Sequence, residues 1–462
     1  MADPTTLSRG LCEQLGADAA AEVARLAAGV AASLAGGAGL EAAELAIRAG
    51  VMQLGRSVLE PLLAADAGYR GPRAGCPCGQ QAGFASYRDK TVDTALGPVT
   101  LTRAWYHCGA CGHGFAPRDG ELGVAGQTMS PGLAKMTDRA AAAVPFVPAA
   151  RLVGELAGIT MSGKRAGRRA EADGQAAAAV TGAQAAAITA RQVIPLPPAG
   201  PLPDILYIAV DGTGVPMVAA ETEGRPGKGE DGKARTREVK LCCVFTQTTL
   251  DEQGRPVRDQ GSSSYLATFA PAAPFGTLMA GEALRRGAAH TRQLVMLGDG
   301  AVWIWNLAAR HFPGATQIVD LYHAREHLHE LARFLEFILG DHKQDWLDER
   351  LTELDTGDIP AICAAARAFP LTGRKADGLQ TALGYFEHNA HRMHYAHFKS
   401  LGMFIGSGAV EAGCKSIAGQ RLKLSGMRWT QPGATGILTL RCLQASGRWE
   451  EILTQPGRTP AA

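Results

Sequence analysis

The sequence predicts an α+β protein of several domains, and three observations predict it. The chain has 462 residues, more than one hydrophobic core usually organises, so roughly two to four domains are expected. Between residues 204 and 322, apolar strand-like runs alternate with helix-like segments, the pattern of an α/β sheet domain. Ahead of that region, two close cysteine pairs flank an alternating strand-like stretch, and helical patterns lie on either side of it.

Residues 1–70 read as a helical region, with apolar residues at three- and four-residue steps and a break at Gly36 and Gly37. Residues 71–125 change character, with two alternating runs around Leu96, Gly97 and Pro98 that suit a ribbon of short strands. Helical patterning returns over 126–195. A string at Pro195, Pro197, Pro198, Pro201 and Pro203 then forbids helix and marks a domain boundary. The runs ILYIAVDG, VKLCCVF, QLVMLGDG and TQIVD are the strands expected in 204–322, with GTLMAGEALRRGA as a helix between two of them. Residues 323–400 read as a helical insertion and 401–450 as a Gly-rich turn with a final helical stretch, Gly408 to Gln444. Residues 451–462 form a tail, and no internal repeat is visible.

The net charge of +2 gives no general argument for a polyanionic partner, so such an argument must come from local clusters. Apolar residues at 46% and charged residues at 19% fit a globular protein and exclude a disordered one. The Ala-rich stretch from Ala19 to Val51 is interrupted by Glu22, Arg25, Glu41, Glu44 and Arg48, and no secretory leader pattern is seen. A cytoplasmic chain without membrane spans is expected. Ten cysteines in such a chain do not suggest disulfides.

Cys76 and Cys78, then Cys108 and Cys111, supply four thiolates in two close pairs. A hairpin between the pairs lets them converge on one structural Zn²⁺, with no coordination position left open for catalysis. His107 and His113 lie close enough in sequence to replace one thiolate, and the alternative is four unliganded thiols. The other cysteines, Cys414 among them, read as small buried residues.

The segment 148–173 reads as a helix-turn-helix: a helix from Pro148 to about Ala157, a turn at Gly158, and a second helix after the cap residue Ser162. The second helix carries Lys164, Arg165, Arg168 and Arg169, which suit phosphates or guanine edges in a major groove. A solvated basic face is the alternative.

Asp211 and Asp299 each follow an apolar run and are expected at strand ends, while Glu411 in GSGAVEAGCK is expected in the first turns of a helix. Such a trio can hold two Mg²⁺ ions about 4 Å apart, or Mn²⁺, around a phosphate. Taken singly, each aspartate is more often a turn former.

Over nearly all of the chain from the first cysteine pair onward, the sequence resembles the ISKra group of bacterial insertion-sequence transposases. It is more distantly similar to Mutator-like DDE transposases. The segments that carry the resemblance are CGACGHGFAPRD, AVDGTGVPM, MLGDGAVWIW, IVDLYHAREHL and GSGAVEAGCKSIAGQRLKLSGMRW. The resemblance implies an RNase H-like core whose acidic positions fall on Asp211, Asp299 and Glu411. It also implies that the long interval from Asp299 to Glu411 holds the last core strand and a helical insertion. Asp320 and His323 match a motif of those enzymes, with His323 orienting DNA or simply pairing with Asp320.

Lys415, Arg421, Lys423 and Arg428 follow the glutamate and are expected to grip the DNA backbone, Lys415 from the same helix face. Trp429 suits either base stacking or the core. The basic loop 221–238 reads as solvated. The expected function is binding of terminal inverted repeats with metal-dependent DNA cleavage and strand transfer into target DNA. A homodimer or larger homo-oligomer would hold two ends, with the N-terminal helices as one interface. The alternatives are an RNase H-like nuclease and a transposase-derived DNA-binding regulator.

Overall fold

The computed structural model describes residues 9–196, 202–227 and 232–453. Pro197, Pro198 and Pro201 of the proline string, Lys228 of the basic loop and the tail after residue 453 lie outside the described residues. The chain is mixed α+β and divides into two compact units, one up to Ala170 and one from Glu171 on. Among the described residues no helix is long and apolar enough to cross a membrane.

The first unit opens with helices α1 (Arg9–Ala35) and α2 (Leu40–Ala64), broken at the expected Gly-Gly. Four strands follow in antiparallel order: β1 (Arg73–Gly75), β2 (Gln81–Thr94), β3 (Gly97–His107) and β4 (Gly114–Phe115). β3 alternates buried and exposed side chains over most of its length, because one face packs and the other is solvated. Helices α3 (Pro117–Glu121), α4 (Pro131–Ala143) and α5 (Phe146–Ala157) complete the unit with the start of α6 (Gly163–Thr189). The division between units falls within α6.

The second unit is built on β5 (Ile205–Pro216), β6 (Thr236–Gln247), β9 (Ser264–Thr268), β10 (Gln293–Gly298) and β11 (Thr316–Val319), with a small separate pair, β7 (Thr249–Leu250) and β8 (Pro256–Val257). The sheet order is β11-β10-β5-β6-β9. β11, β10 and β5 run parallel, whereas β5, β6 and β9 are antiparallel. Ile205 to Val210 are all buried, which is why this strand reads as a continuous apolar run. The edge strand β9 escaped the sequence reading, because SYLAT is short and half polar.

Helices α7 (Ala272–Arg285) and α8 (Val302–His311) connect the strands. The expected helical insertion is α9 (Leu321–Leu339), α10 (Lys343–Thr356), α11 (Ile359–Arg367), α12 (Arg374–Asn389) and α13 (Tyr395–Ser400). The final stretch is less continuous than expected. α14 (Gly408–Gly413) passes through a π-helical segment, Cys414–Gly419, into the short α15 (Gln420–Leu422). An irregular segment then separates it from α16 (Gln431–Ala445) and α17 (Trp449–Leu453). The break arises because Trp429 pairs its backbone with β5's end, its N–H bonding Pro216 O at 3.1 Å, and Thr430 caps α16 from the Gly433 N–H.

Candidate functional site

Three neighbouring parallel strands each lead into an aspartate. The register pairs Ala209 with Leu297 and Gly298 with Val319, so Asp211, Asp299 and Asp320 come level at one end of the sheet. Asp299 and Asp320 follow the last residues of β10 and β11 as expected. Asp211 corrects the expectation of a strand end, because β5 continues to Pro216, paired with β6 alone. Its carboxylate therefore stands where the β10 side of the strand has opened, at the carboxyl ends of the parallel strands.

Each acid is held by its own contacts. Gly212 N–H donates to Asp211 Oδ1 at 2.6 Å, and Ala301 N–H donates to Asp299 Oδ1 at 2.9 Å. Asp320 is fully buried: it caps α9 by accepting from His323 N at 2.8 Å, and its other oxygen accepts from Ser407 N. Ser407 Oγ in turn donates to Glu411 Oε1 at 3.1 Å, so one aspartate and one serine join the start of α9 to the start of α14. Asp320, His323 and Glu411 bring ligand atoms within 4.8 Å of one another, a group that can hold a metal ion. Asp211 and Asp299 lie outside that close group.

Burial raises the Asp211 pKa above the ordinary carboxylate value. The Gly212 N–H and the Cys414 thiol oppose the rise, the Asp299 charge adds to it, and His323 opposes it. Burial likewise raises the Cys414 thiol, with the Asp211 charge adding to it. Cys414, expected to be a plain core residue, therefore lies close enough to Asp211 to act on a candidate metal ligand.

The helical insertion also reaches the site. Tyr385 on α12 donates its hydroxyl to Asp299 O at 3.1 Å, and His327 on α9 stacks on that ring at 3.7 Å. Neither was singled out from sequence, since nothing local marks a helix residue that meets a strand end more than eighty positions away.

The expected cations separate into two kinds. Lys415, Lys423 and Arg428 are exposed, and Lys423 bonds Thr213 Oγ1, two residues from Asp211. Lys415 lies in the π-helical segment, which alters the simple four-residue spacing to Glu411. Arg421 is a correction. It is fully buried with its guanidinium 5.2 Å from the Trp429 ring, and burial lowers its pKa to about 10. A side chain so enclosed packs inside the unit instead of meeting a phosphate. Trp429 is itself buried and bonds Leu422 O at 3.0 Å, which assigns it to the core. In the loop 221–238, Arg237 pairs with Glu221 at 3.1 Å, while Arg225, Lys233 and Arg235 line a cleft with Arg428.

In the first unit, Cys76, Cys78, Cys108 and Cys111 bring their sulfurs within 4.8 Å of one another. Cys76 and Cys111 are 3.6 Å apart, and Cys78 and Cys108 are 3.7 Å apart. A tetrahedron with metal–sulfur bonds of about 2.3 Å has edges of about 3.8 Å, so the group fits a metal such as zinc. Each pair sits on a tight turn, with Gly79 N bonding Cys76 O at 2.9 Å and Gly112 N bonding Cys108 O at 2.8 Å. Backbone N–H groups of Cys111 and Ala110 hold the Cys108 thiol down to about 7, whereas hydrogen bonds among the neighbouring thiols raise Cys76 and Cys111, so the four share their protons as one group. His113 stacks on Phe115 at 5.7 Å and is not one of the four.

α5, a left-handed Gly158 cap and α6 follow the expected order, and Ser162 Oγ accepts from Arg165 N at 3.2 Å. Arg165 is tied to Asp93 and to Thr128 O at 3.1 Å, and Arg169 bonds Gln127 at 2.8 Å. Lys164 and Arg168 are exposed. The four cations are therefore not equivalent. Comparison of the chain with protein-family models and with curated proteins finds no match.

Proposed function

We propose that the protein is a DNA transposase of an insertion sequence. The observation that carries this reading is the alignment of Asp211, Asp299 and Asp320 at the ends of adjacent parallel strands, beside Glu411 and His323. The mixed sheet order, three antiparallel strands continued by two parallel ones, supports an RNase H-like core. A mostly oxygen donor set suits Mg²⁺, and the imidazole also admits Mn²⁺. Two such ions, held by Asp211, Asp299 and Glu411 with Asp320 and His323 alongside, would activate water and then the DNA 3′-hydroxyl for in-line attack on phosphate.

The protein's own groups do the rest. Asp320 and Ser407 orient Glu411, Tyr385 steadies the Asp299 turn, and Lys423 and Lys415 offset the repulsion between acids and DNA backbone. In the first unit, the four thiols form a zinc ribbon, and α5 with α6 a helix-turn-helix that binds terminal inverted repeats through Lys164 and Arg168. The hairpin α1–α2 leaves Leu34, Leu40, Leu45, Ile47 and Val51 exposed, which supports it as the interface of a homodimer or larger assembly.

The test is cleavage and strand transfer on DNA carrying the inverted repeats that flank the gene. Wild-type protein is expected to act with Mg²⁺ and to stop with chelator. Asp211→Asn, Asp299→Asn and Glu411→Gln should each lower both steps by orders of magnitude while repeat binding survives. Near-normal cleavage by a folded variant removes that residue from the site. Cleavage without strand transfer makes the protein a nuclease, and repeat binding without cleavage makes it a regulator.

A further inference from the structure

Next to the acidic group lies a groove of about 1030 Å³ for which the reading above has no use. It is lined by Met403, Phe404 and Ile405, by the β7–β8 hairpin region with Arg255 and Arg258, and by the start of α9 with Tyr322. Gly408, Ala409 and Ala412 of α14, the helix that carries Glu411, also line it, so the groove shares an element with the acidic site.

Tyr322 is the unusual member. The residue is 61% exposed, yet it stands in the chain between Asp320 and His323. The backbone beside it is anchored, Leu321 N donating to Ile405 O at 3.0 Å, and a Cβ at Gly406 would come within 3.1 Å of the ring. The glycine thus lets the ring lie against backbone while leaving much of the ring uncovered. Arg255, Arg258 and Lys399 line the same groove against one carboxylate, Asp251, which already bonds Arg255 at 2.7 Å.

An exposed tyrosine sharing a groove with cations, beside a site for phosphate chemistry, matches what single strands require: a face for a base and charges for the backbone. A paired duplex offers no free base face to such a ring. A second protein chain seated here would have to bury Arg258 and Lys399, at a cost unless it brought opposite charges. We propose that this groove takes unpaired nucleotides of the DNA strand that leads away from the acidic site, with a base on Tyr322 and phosphates on Arg258 and Lys399. The proposal rests on the acidic site being a DNA-processing centre.

The experiment uses the full chain and a single-stranded pentadeoxynucleotide carrying 2-aminopurine, whose fluorescence falls on stacking, with a blunt duplex as control. Wild-type protein should bind and quench the single strand. Tyr322→Ala should weaken binding about 5- to 100-fold and remove the quench, while Tyr322→Phe keeps both. Arg258→Ala and Lys399→Ala should weaken binding and each lower the salt slope by about 0.7, with quenching retained once bound. A melting temperature near wild type for Tyr322→Ala separates lost stacking from lost folding. Equal affinity and quenching in a folded Tyr322→Ala protein overturns the proposal, as does a change in oligomeric mass with nucleotide binding intact, which would give the groove to a second copy. If the wild type cleaves repeat-containing DNA and Tyr322→Ala binds the single strand as the wild type does, only the groove fails. If the wild type binds and quenches the single strand but never cleaves DNA, the transposase reading fails instead.

Discussion

The cysteine cluster and the acidic cluster each gather residues from well-separated positions, but they are held in opposite ways. The cysteines sit on two turns at the open end of the β2–β3 hairpin. β1 and β4 are short, and the thiols of Cys76 and Cys108 belong to the same small core as Ala82, Ala104 and Tyr106. The acids instead hang from a finished framework: Asp211 directly after the buried run Ile205 to Val210 of β5, Asp320 locked by two backbone N–H groups, Glu411 bonded by Ser407. In the first case the metal would organise the chain, and in the second the chain organises the place for a metal.

The largest effect expected from this difference is on metal removal. Stripping the zinc proposed for the ribbon should loosen the turns at 76–80 and 108–113, because in small modules metal binding and folding are one process. Amide exchange at Gly79 and Gly112 should speed up by orders of magnitude. The Ser407 amide, which bonds buried Asp320, should stay protected after all divalent ions are removed. Equal loss of protection at both clusters would erase the distinction, and purified protein without zinc would remove its premise.

A smaller effect should separate the cations of α6. Lys164→Ala and Arg168→Ala are expected to leave stability unchanged and to lower the salt dependence of repeat binding by about 0.9 per lost phosphate contact. Arg165→Ala should act on stability, by about 1 kcal/mol or less, because its ion pair with Asp93 is partly exposed. Titrations at several salt concentrations, beside thermal melts, measure both. Identical behaviour of Arg165 and Arg168 variants would mean that the observed pairing has no energetic consequence.

What could be read from sequence follows the same line. The thiol pairs were legible because a metal turn is local: the spacing and the glycines are visible in a few residues. The aspartates after apolar runs were legible as well, Asp320 included. The consequences of tertiary packing were not. Nothing near Asp320 announces that Ser407 will bond it, and nothing near Arg421 announces that the Trp429 ring will enclose it. The exposed basic stripe read from α6 became two exposed and two engaged residues because Asp93 and Gln127 approach from elsewhere in the chain. Tyr322 was passed over because an aromatic residue at a helix start is ordinarily core, and only the structure reveals its exposed ring.

The smallest effect concerns Asp211 without metal, and it sharpens the claim that the fold prepares this site in advance. Burial, reinforced by the Asp299 charge, raises its folded-state pKa above the ordinary aspartate value, despite the opposing influence of the Gly212 N–H and the Cys414 thiol. A carboxyl with a raised folded pKa holds its proton more tightly in the folded state than in the unfolded one. Its contribution is therefore favourable at low pH and is lost as pH rises through the folded value, leaving the ionised group destabilising near neutrality. Asp211→Asn removes that ionisation, so in chelator at pH 7 the variant should melt slightly above wild type and show a flatter pH dependence just above the ordinary carboxylate range. Added Mg²⁺ should reverse the order, because a ligand that binds the folded carboxylate stabilises wild type more than a variant lacking one metal-binding charge. Scanning calorimetry in chelator and in Mg²⁺ reads both signs. A variant that melts below wild type in chelator would mean that the hydrogen bonds to Gly212 and Cys414 outweigh the desolvated charge, making Asp211 a prop of the fold as well as a candidate metal ligand.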